Sequence, residues 1–199
     1  MNLFYNPKGV GNVAFLQIET VDGPFEYEKI NDVVMIKKDN DVVGLNIFNA
    51  DQHLTIEGNG HITFSEAHAT DIQKLLDQSN INFKLEADFS PKFVVGYVQS
   101  KEKHPDADKL SVCHIDVGDD TLQIVCGAPN IEAGQKVVVA KVGAVMPSGM
   151  LIKDAELRGV ASSGMVCSMK ELNLPNASQE KGIMVLDDSY KTGQSFFNA

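Results

Sequence analysis

Phe93-Val94-Val95-Gly96-Tyr97-Val98 is a run of β-branched and aromatic residues interrupted by one glycine. Such a run reads as a strand, and a glycine inside it marks a sharp bend, which a small closed barrel needs where one strand serves two sheets. Downstream, residues 110–117, 122–126 and 136–142 repeat the strand composition, with shorter candidates around 155–160 and 184–186. Gly118-Asp119-Asp120 supplies hairpin chemistry between the second and third of these strands. Five short strands with few helical stretches predict a small all-β barrel or sandwich over residues 90–199.

Upstream, Glu86-Ala87-Asp88-Phe89-Ser90-Pro91 breaks the pattern, because Ser-Pro disfavours helix continuation. The expected domains are therefore 1–89 and 90–199. Charge divides at the same place: 6 Lys+Arg against 14 Asp+Glu before it and 11 against 13 after it, so −8 and −2. Within the first half, residues 13–19, 25–30, 33–37 and 42–48 are strand-like, and Asp22-Gly23, Asn31-Asp32 and Asp39-Asn40-Asp41 separate them. These turn residues predict an antiparallel meander. Over residues 65–79 the period changes: Ser65 can cap, Glu66 suits a first turn, and Ala69, Ile72, Leu75 and Leu76 share one helical face, with Asn80 as the stop. One helix over that meander makes an acidic α+β domain, to which the sequence assigns no role.

The 199 residues carry 17 Lys+Arg, 27 Asp+Glu, five His, three Cys and no Trp, with 43% hydrophobic residues. A chain of this size buries enough surface to need neither disulfide nor metal. It has no run of about 18 apolar residues and no charged-then-apolar leader, so the expectation is a soluble cytoplasmic protein with no membrane association. Cys113, Cys126 and Cys167 fit neither a paired framework nor a metal knuckle and read as reduced thiols. The net charge of −10 excludes a general electrostatic grip on nucleic acid, so any polyanion must be held by local geometry.

Four stretches are candidates for chemistry. His104-Pro105-Asp106-Ala107-Asp108-Lys109-Leu110 has metal-capable side chains but no further ligand cluster nearby, and reads better as a turn in which Asp106 or Asp108 caps a short helical turn. Cys126-Gly127-Ala128-Pro129-Asn130 offers a thiol without an identifiable orienting group, so a buried strand-end cysteine is preferred to a nucleophile, and Asn130 reads as structural or as a nucleic-acid contact. The glycines of residues 142–150 lack the ending of a phosphate loop and read as a flexible connection over one barrel mouth. Arg158, the chain's one arginine, alternates with Leu157 so that it would share a face with Glu156; it suits either a phosphate or a carboxylate such as Glu156 or Asp154. Phe93 and Tyr97 lie on one side of their strand and read as core.

These pieces have a recognisable order. His104-Pro-Asp-Ala-Asp-Lys-Leu110, Val117-Gly118, Gln123-Ile-Val-Cys-Gly-Ala128 with Asn130, Leu157-Arg-Gly-Val160, Ser163-Gly-Met165 and Cys167-Ser168 resemble the tRNA-binding OB-fold domain. That domain occurs in free tRNA-binding proteins, at the start of the bacterial phenylalanyl-tRNA synthetase β chain, in the methionyl-tRNA synthetase C-terminal extension and in EMAP-II-like cofactors. The whole chain, with an acidic domain in front, resembles the YtpR-type stand-alone proteins of bacteria. One departure is Cys126, where many members carry Ser. The resemblance implies a five-stranded OB barrel, no enzymatic activity, no cofactor or metal, and a homodimer joined by segments of that domain.

Two functions compete. In the first, the chain binds tRNA by shape and backbone, the expected mode for an A-form molecule whose deep groove side chains cannot read. The contacts would be Lys101, Lys103, Lys109, Lys136 and Lys141, gathered near one groove if the strands curl, with Asn130, Arg158, Ser162, Ser163 and Met165. The acidic first domain then faces away or recruits a translation-related protein partner. In the second, the barrel docks or dimerises proteins and RNA contact is weak or lost; the −10 charge and single arginine favour it.

Overall fold

Turn chemistry organises the first half of the chain. The computed structural model describes residues 1–177 and 181–197, in two units, Met1–Ser90 and Pro91–Ala199. The first contains β1 (Asn2–Tyr5), α1 (Pro7–Val10), β2 (Val13–Gln17), β3 (Glu26–Ile30), β4 (Val33–Lys38), β5 (Asp41–Phe48), α2 (Ala50–His53), β6 (Gly60–Ile62) and α3 (Glu66–Gln78). Asn31-Asp32 closes β3 on β4 and Asp39-Asn40 closes β4 on β5. Asn31, Asp39 and Asn40 take φ of 52°, 51° and 74°, a conformation that Asn and Asp tolerate because their side chains bond locally.

The antiparallel sheet runs β3-β4-β5-β2-β1-β6. Only β3 to β5 form a meander. The expected four-strand meander does not form: Asp22-Gly23 closes no hairpin, and β2 pairs with β5 instead of β3. The reason is burial, since this pairing sets Ala14 and Leu16 beside Leu45 and Ile47 in one core. The helix α3 covers that face with Ile72, Leu75 and Leu76. At its start Ser65 Oγ accepts the His68 N–H (3.3 Å) while His68 Nδ1 accepts the Ser65 N–H (3.2 Å). This is a reciprocal cap with His in the position usually held by Glu or Gln.

In the second unit, β7 (Phe93–Lys103), β8 (Ser111–Asp116), β9 (Thr121–Cys126), β10 (Lys136–Ala140), β11 (Asp154–Leu157), β12 (Val160–Ser163), β13 (Met165–Val166) and β14 (Val185–Leu186) follow in order. Its main sheet runs β13-β10-β7-β8-β9, with β14 also on β10, and β11–β12 forms a separate hairpin. Six strands in one sheet plus a hairpin replace the expected five, and no ladder among the described residues closes the sheet into a barrel. Instead, side chains join β9 to β12: Val125 N–H donates to Ser162 Oγ (3.0 Å) and Gln123 Nε2 to the Ala161 carbonyl (2.7 Å).

Strand β7 has a double role. Residues 93–97 of β7 pair with β10 and residues 97–103 with β8, with an irregularity between Val98 and Ser100. A Cβ on Gly96 would stand 2.6 Å from Ile115 and 2.7 Å from Val139 methyls, so only glycine lets the two neighbouring strands pack across this point. One face of the sheet buries Val98, Ile115, Ile124 and Val139; the other buries Val95, Val138, Ala144 and Met146. Because both faces are covered, Val137, Val138, Val139 and Ala140 are all fully buried and their sequence is a continuous apolar run. Residues 142–150, expected to form a flexible connection, supply part of that second core. They are fixed by bonds from Gly143 N–H to the Ile152 carbonyl and from Met146 N–H to the Met150 carbonyl (both 2.8 Å). No helix among the described residues is long and apolar enough to cross a membrane.

Candidate nucleic-acid interface

The end of β9 and the start of β13 border a groove of about 520 Å³. Cys126 and Ile183 lie within it, Gly127-Ala128-Pro129 forms one wall, Met165 and Ser168 another, and Lys170 and Lys181 edge it. A second hollow of about 280 Å³ shares Ser168, Lys170, Lys181 and Ile183, so the two make one trough. Glu171 also lines it, but Glu171 Oε2 accepts from the Ser168 N–H (2.8 Å) and hydroxyl (2.7 Å) and is occupied in holding that turn. Lys170 and Lys181 are both exposed.

Asn130 is exposed, lines the second hollow and shapes the trough. Its Nδ2 donates to the Ile183 carbonyl (3.0 Å) and its Oδ1 accepts the Ile183 N–H (2.9 Å). One side chain thus satisfies both backbone groups of a buried residue, as a neighbouring strand would. Gly182 is required beside it, because a Cβ there would stand 2.8 Å from Asn130 Oδ1. All the side-chain bonds shown for Asn130 are internal.

The His104 turn and the β11–β12 hairpin make a second constellation. Asp106 N–H donates to His104 Nδ1 (3.1 Å), and His104 Nε2 lies 2.9 Å from the Leu157 carbonyl, which puts the ring proton on Nε2. The buried histidine, not Asp106 or Asp108, is the acceptor that sets the turn, and no helical turn forms. Arg158 and Gly159 occupy the hairpin tip with φ of 48° and 82°. Arg158 therefore does not alternate along a strand with Glu156; its Nη1 donates to the Asp106 carbonyl (3.3 Å). Lys103 and Lys109 flank the same turn and are exposed.

The five lysines expected near one groove are spread along the unit. Lys103 and Lys101 stand at the far end of β7, whereas Lys141 is level with its start, where its N–H bonds the Lys92 carbonyl. Lys101 bonds Glu132 (2.9 Å), Lys141 bonds Asp119 (3.1 Å), and Lys136 donates to the Asp188 and Tyr190 carbonyls (3.0 and 2.7 Å). The first two are surface pairs worth well under about 1 kcal/mol, which a phosphate can exchange. Lys136 holds backbone and is half-buried. Ser162 is 4% exposed with its oxygen bonded to Val125 N–H, Ser163 is half-buried opposite Asp154, and Met165 lines the trough. Sequence reasoning passed over Lys170 and Lys181, although one follows Cys167-Ser168 and the other precedes the glycine that Asn130 requires.

The cysteines are buried and their thiols are held protonated. Burial raises Cys113 to about 11 and Cys167 to about 12, and it raises Cys126 as well, against a smaller opposing bond from Ala128 N–H. A thiol so placed is a poor nucleophile at neutral pH. In an Ellman assay at pH 8 the folded protein is expected to react negligibly, and all three thiols to react once guanidinium unfolds it; a fast-reacting native thiol would contradict this burial.

A family model described as "Putative tRNA binding domain" matches residues 93–195, more than half of the chain, and the chain belongs to that family. A domain of unknown function matches residues 20–88. The chain is 57% identical to "Putative tRNA-binding protein YtpR" of Bacillus subtilis, over 98% of its own length and 99% of that protein. It is 53% identical over 111 residues to the phenylalanine–tRNA ligase beta subunit of Staphylococcus aureus, and 58% identical over 98 residues to that of Campylobacter jejuni. Those stretches are 14% and 12% of the respective subunits.

Proposed function

We propose that the chain binds tRNA through its second unit, without catalysis, by meeting the sugar-phosphate backbone along the trough. The observation that carries this reading is the convergence of residues 125–129 and 165–168, both inside the matched stretch 93–195, on one trough edged by two exposed lysines. The names of the relatives, a tRNA-binding protein and a tRNA ligase subunit, support it. Backbone contact suits the composition: Lys170 and Lys181 present point charges, Gly127 and Ala128 present close backbone, and few aromatics are available for stacking on bases. Lys103, Lys109 and Arg158 form a second cationic group around the His104 turn, and Lys101 joins after exchanging Glu132 for phosphate. Asn130, Lys136 and Ser162 hold these surfaces in shape. The fold is of the OB type, a barrel completed by the β9–β12 side-chain bonds in place of a ladder. From the family resemblance the proposal extends to a cytoplasmic homodimer joined by segments of this unit.

The competing reading, a protein docking or dimerisation module with weak RNA contact, is favoured by the internal partners of Lys101, Lys136 and Lys141. Titration of labelled tRNA, with duplex DNA as competitor and at several salt concentrations, separates the two. The expected result is retention of tRNA against excess duplex and a linear fall of log affinity with log salt. Absence of any tRNA preference at low salt removes the tRNA reading.

A further inference from the structure

The first unit exposes an open sheet edge beside an apolar groove, and both lie away from the face covered by α3. Strand β3 ends the sheet, with Glu26, Tyr27, Glu28 and Lys29 all exposed. In an antiparallel edge every second residue turns its N–H and C=O outward, which leaves a template for one more strand. Directly beside it, Phe15, Val21, Phe25, Tyr27, Ile36 and Val43 line a groove of about 260 Å³, room for one or two large apolar side chains. Tyr27 is 66% exposed and Phe25 36%. Natural sheets seldom leave aromatic residues on an uncovered edge without a use.

Charge selects the occupant. Glu19 lines the groove and Asp22, next to Val21, is exposed at its rim, whereas Glu26 and Glu28 alternate to the other face of β3, where Lys37 is paired with Glu28. Lys29 is drawn over the Phe48 ring at 5.2 Å. A second copy of β3 is a poor partner: antiparallel registers centred on Tyr27 or Glu28 set carboxylates directly opposite one another, which is destabilising. An extended segment alternating Lys or Arg with apolar residues matches both the acid rim and the groove.

We propose that β3 captures such a basic, extended segment of a partner protein by strand addition, with one apolar side chain seated in the groove between Phe25 and Tyr27. Backbone bonds to the edge supply affinity, and the groove and the carboxylates supply selection. This makes the acidic unit a peptide-docking module. The inference does not rest on tRNA binding, which is read on the other unit, so either can fail alone.

The test uses the full chain and a labelled, end-blocked peptide of about nine residues alternating Lys and Val. Saturable binding at low salt is expected, weakened about tenfold when every Lys is replaced by Glu. Tyr27→Lys should weaken it about tenfold while leaving thermal unfolding unchanged, because the side chain is exposed. Methylating alternate peptide nitrogens should abolish binding in one phase and spare it in the other, since only one set of N–H groups meets the edge. Equal affinity for the Glu peptide, no saturation, or full binding by both methylated forms overturns the proposal. So does self-association of the protein that Tyr27→Lys abolishes, which would assign the edge to a second copy.

Discussion

The variant K170E/K181E is expected to bind tRNA about 10- to 100-fold more weakly than the parent at low salt, and its log–log salt slope should be shallower by about 2. Both lysines are exposed and edge the trough, so reversing them changes the surface without opening the core. Each phosphate contact releases about one counterion, and the slope therefore counts lost contacts while the affinity measures their strength. Reversal also adds two carboxylates beside Glu171, which repel the backbone of the incoming RNA. The check is the labelled-tRNA titration, with circular dichroism and thermal unfolding to establish that the fold is intact. Parental affinity with an unchanged slope would remove the trough as the interface and leave the cluster of Lys103, Lys109 and Arg158 to account for binding.

What could be read from the residues was largely local. Ser65 and the Ile72, Leu75 and Leu76 spacing sufficed for α3, and Asn31-Asp32 and Asp39-Asn40 for two hairpins, because caps and tight turns depend on a few neighbouring side chains. Gly96 was legible for the same reason, as its meaning is a missing side chain. Pairing across distance was not. The β2–β5 neighbourhood depends on which residues share a core, and β1 is a four-residue strand whose partner lies beyond a helical turn. Arg158 looked like a strand residue because Glu156 and Arg158 alternate with Leu157, whereas Gly159 let the chain reverse there. The trough joins residues 125–129 to 181–183, more than fifty positions apart, through a bond from Asn130 that no periodicity encodes. Likewise a lysine's sequence position does not reveal that Glu132 or Asp119 waits beside it.

Asn130→Ala is expected to destabilise the second unit by about 2–4 kcal/mol, since Ile183, 8% exposed, would lose the partners of its N–H and its C=O together. Chemical denaturation monitored by circular dichroism measures this. Asn130→Asp should fall between the two, because the carboxylate still accepts the Ile183 N–H but its other oxygen faces a carbonyl with no proton to offer. The same substitutions decide how Asn130 serves binding. If it acts only by positioning residues 181–183, the alanine variant loses tRNA affinity with the salt slope preserved, since the lysines that release counterions are still present and only their placement has loosened. Direct contact with RNA predicts a different pattern: affinity falls by a similar factor even where residues 181–183 stay ordered, and stability hardly changes. Proteolysis near Lys181 discriminates, because a released segment is cut faster in proportion to its opening. Faster cleavage, lower stability and an unchanged slope together mean that the affinity of the trough is set by an amide engaged with the Ile183 backbone.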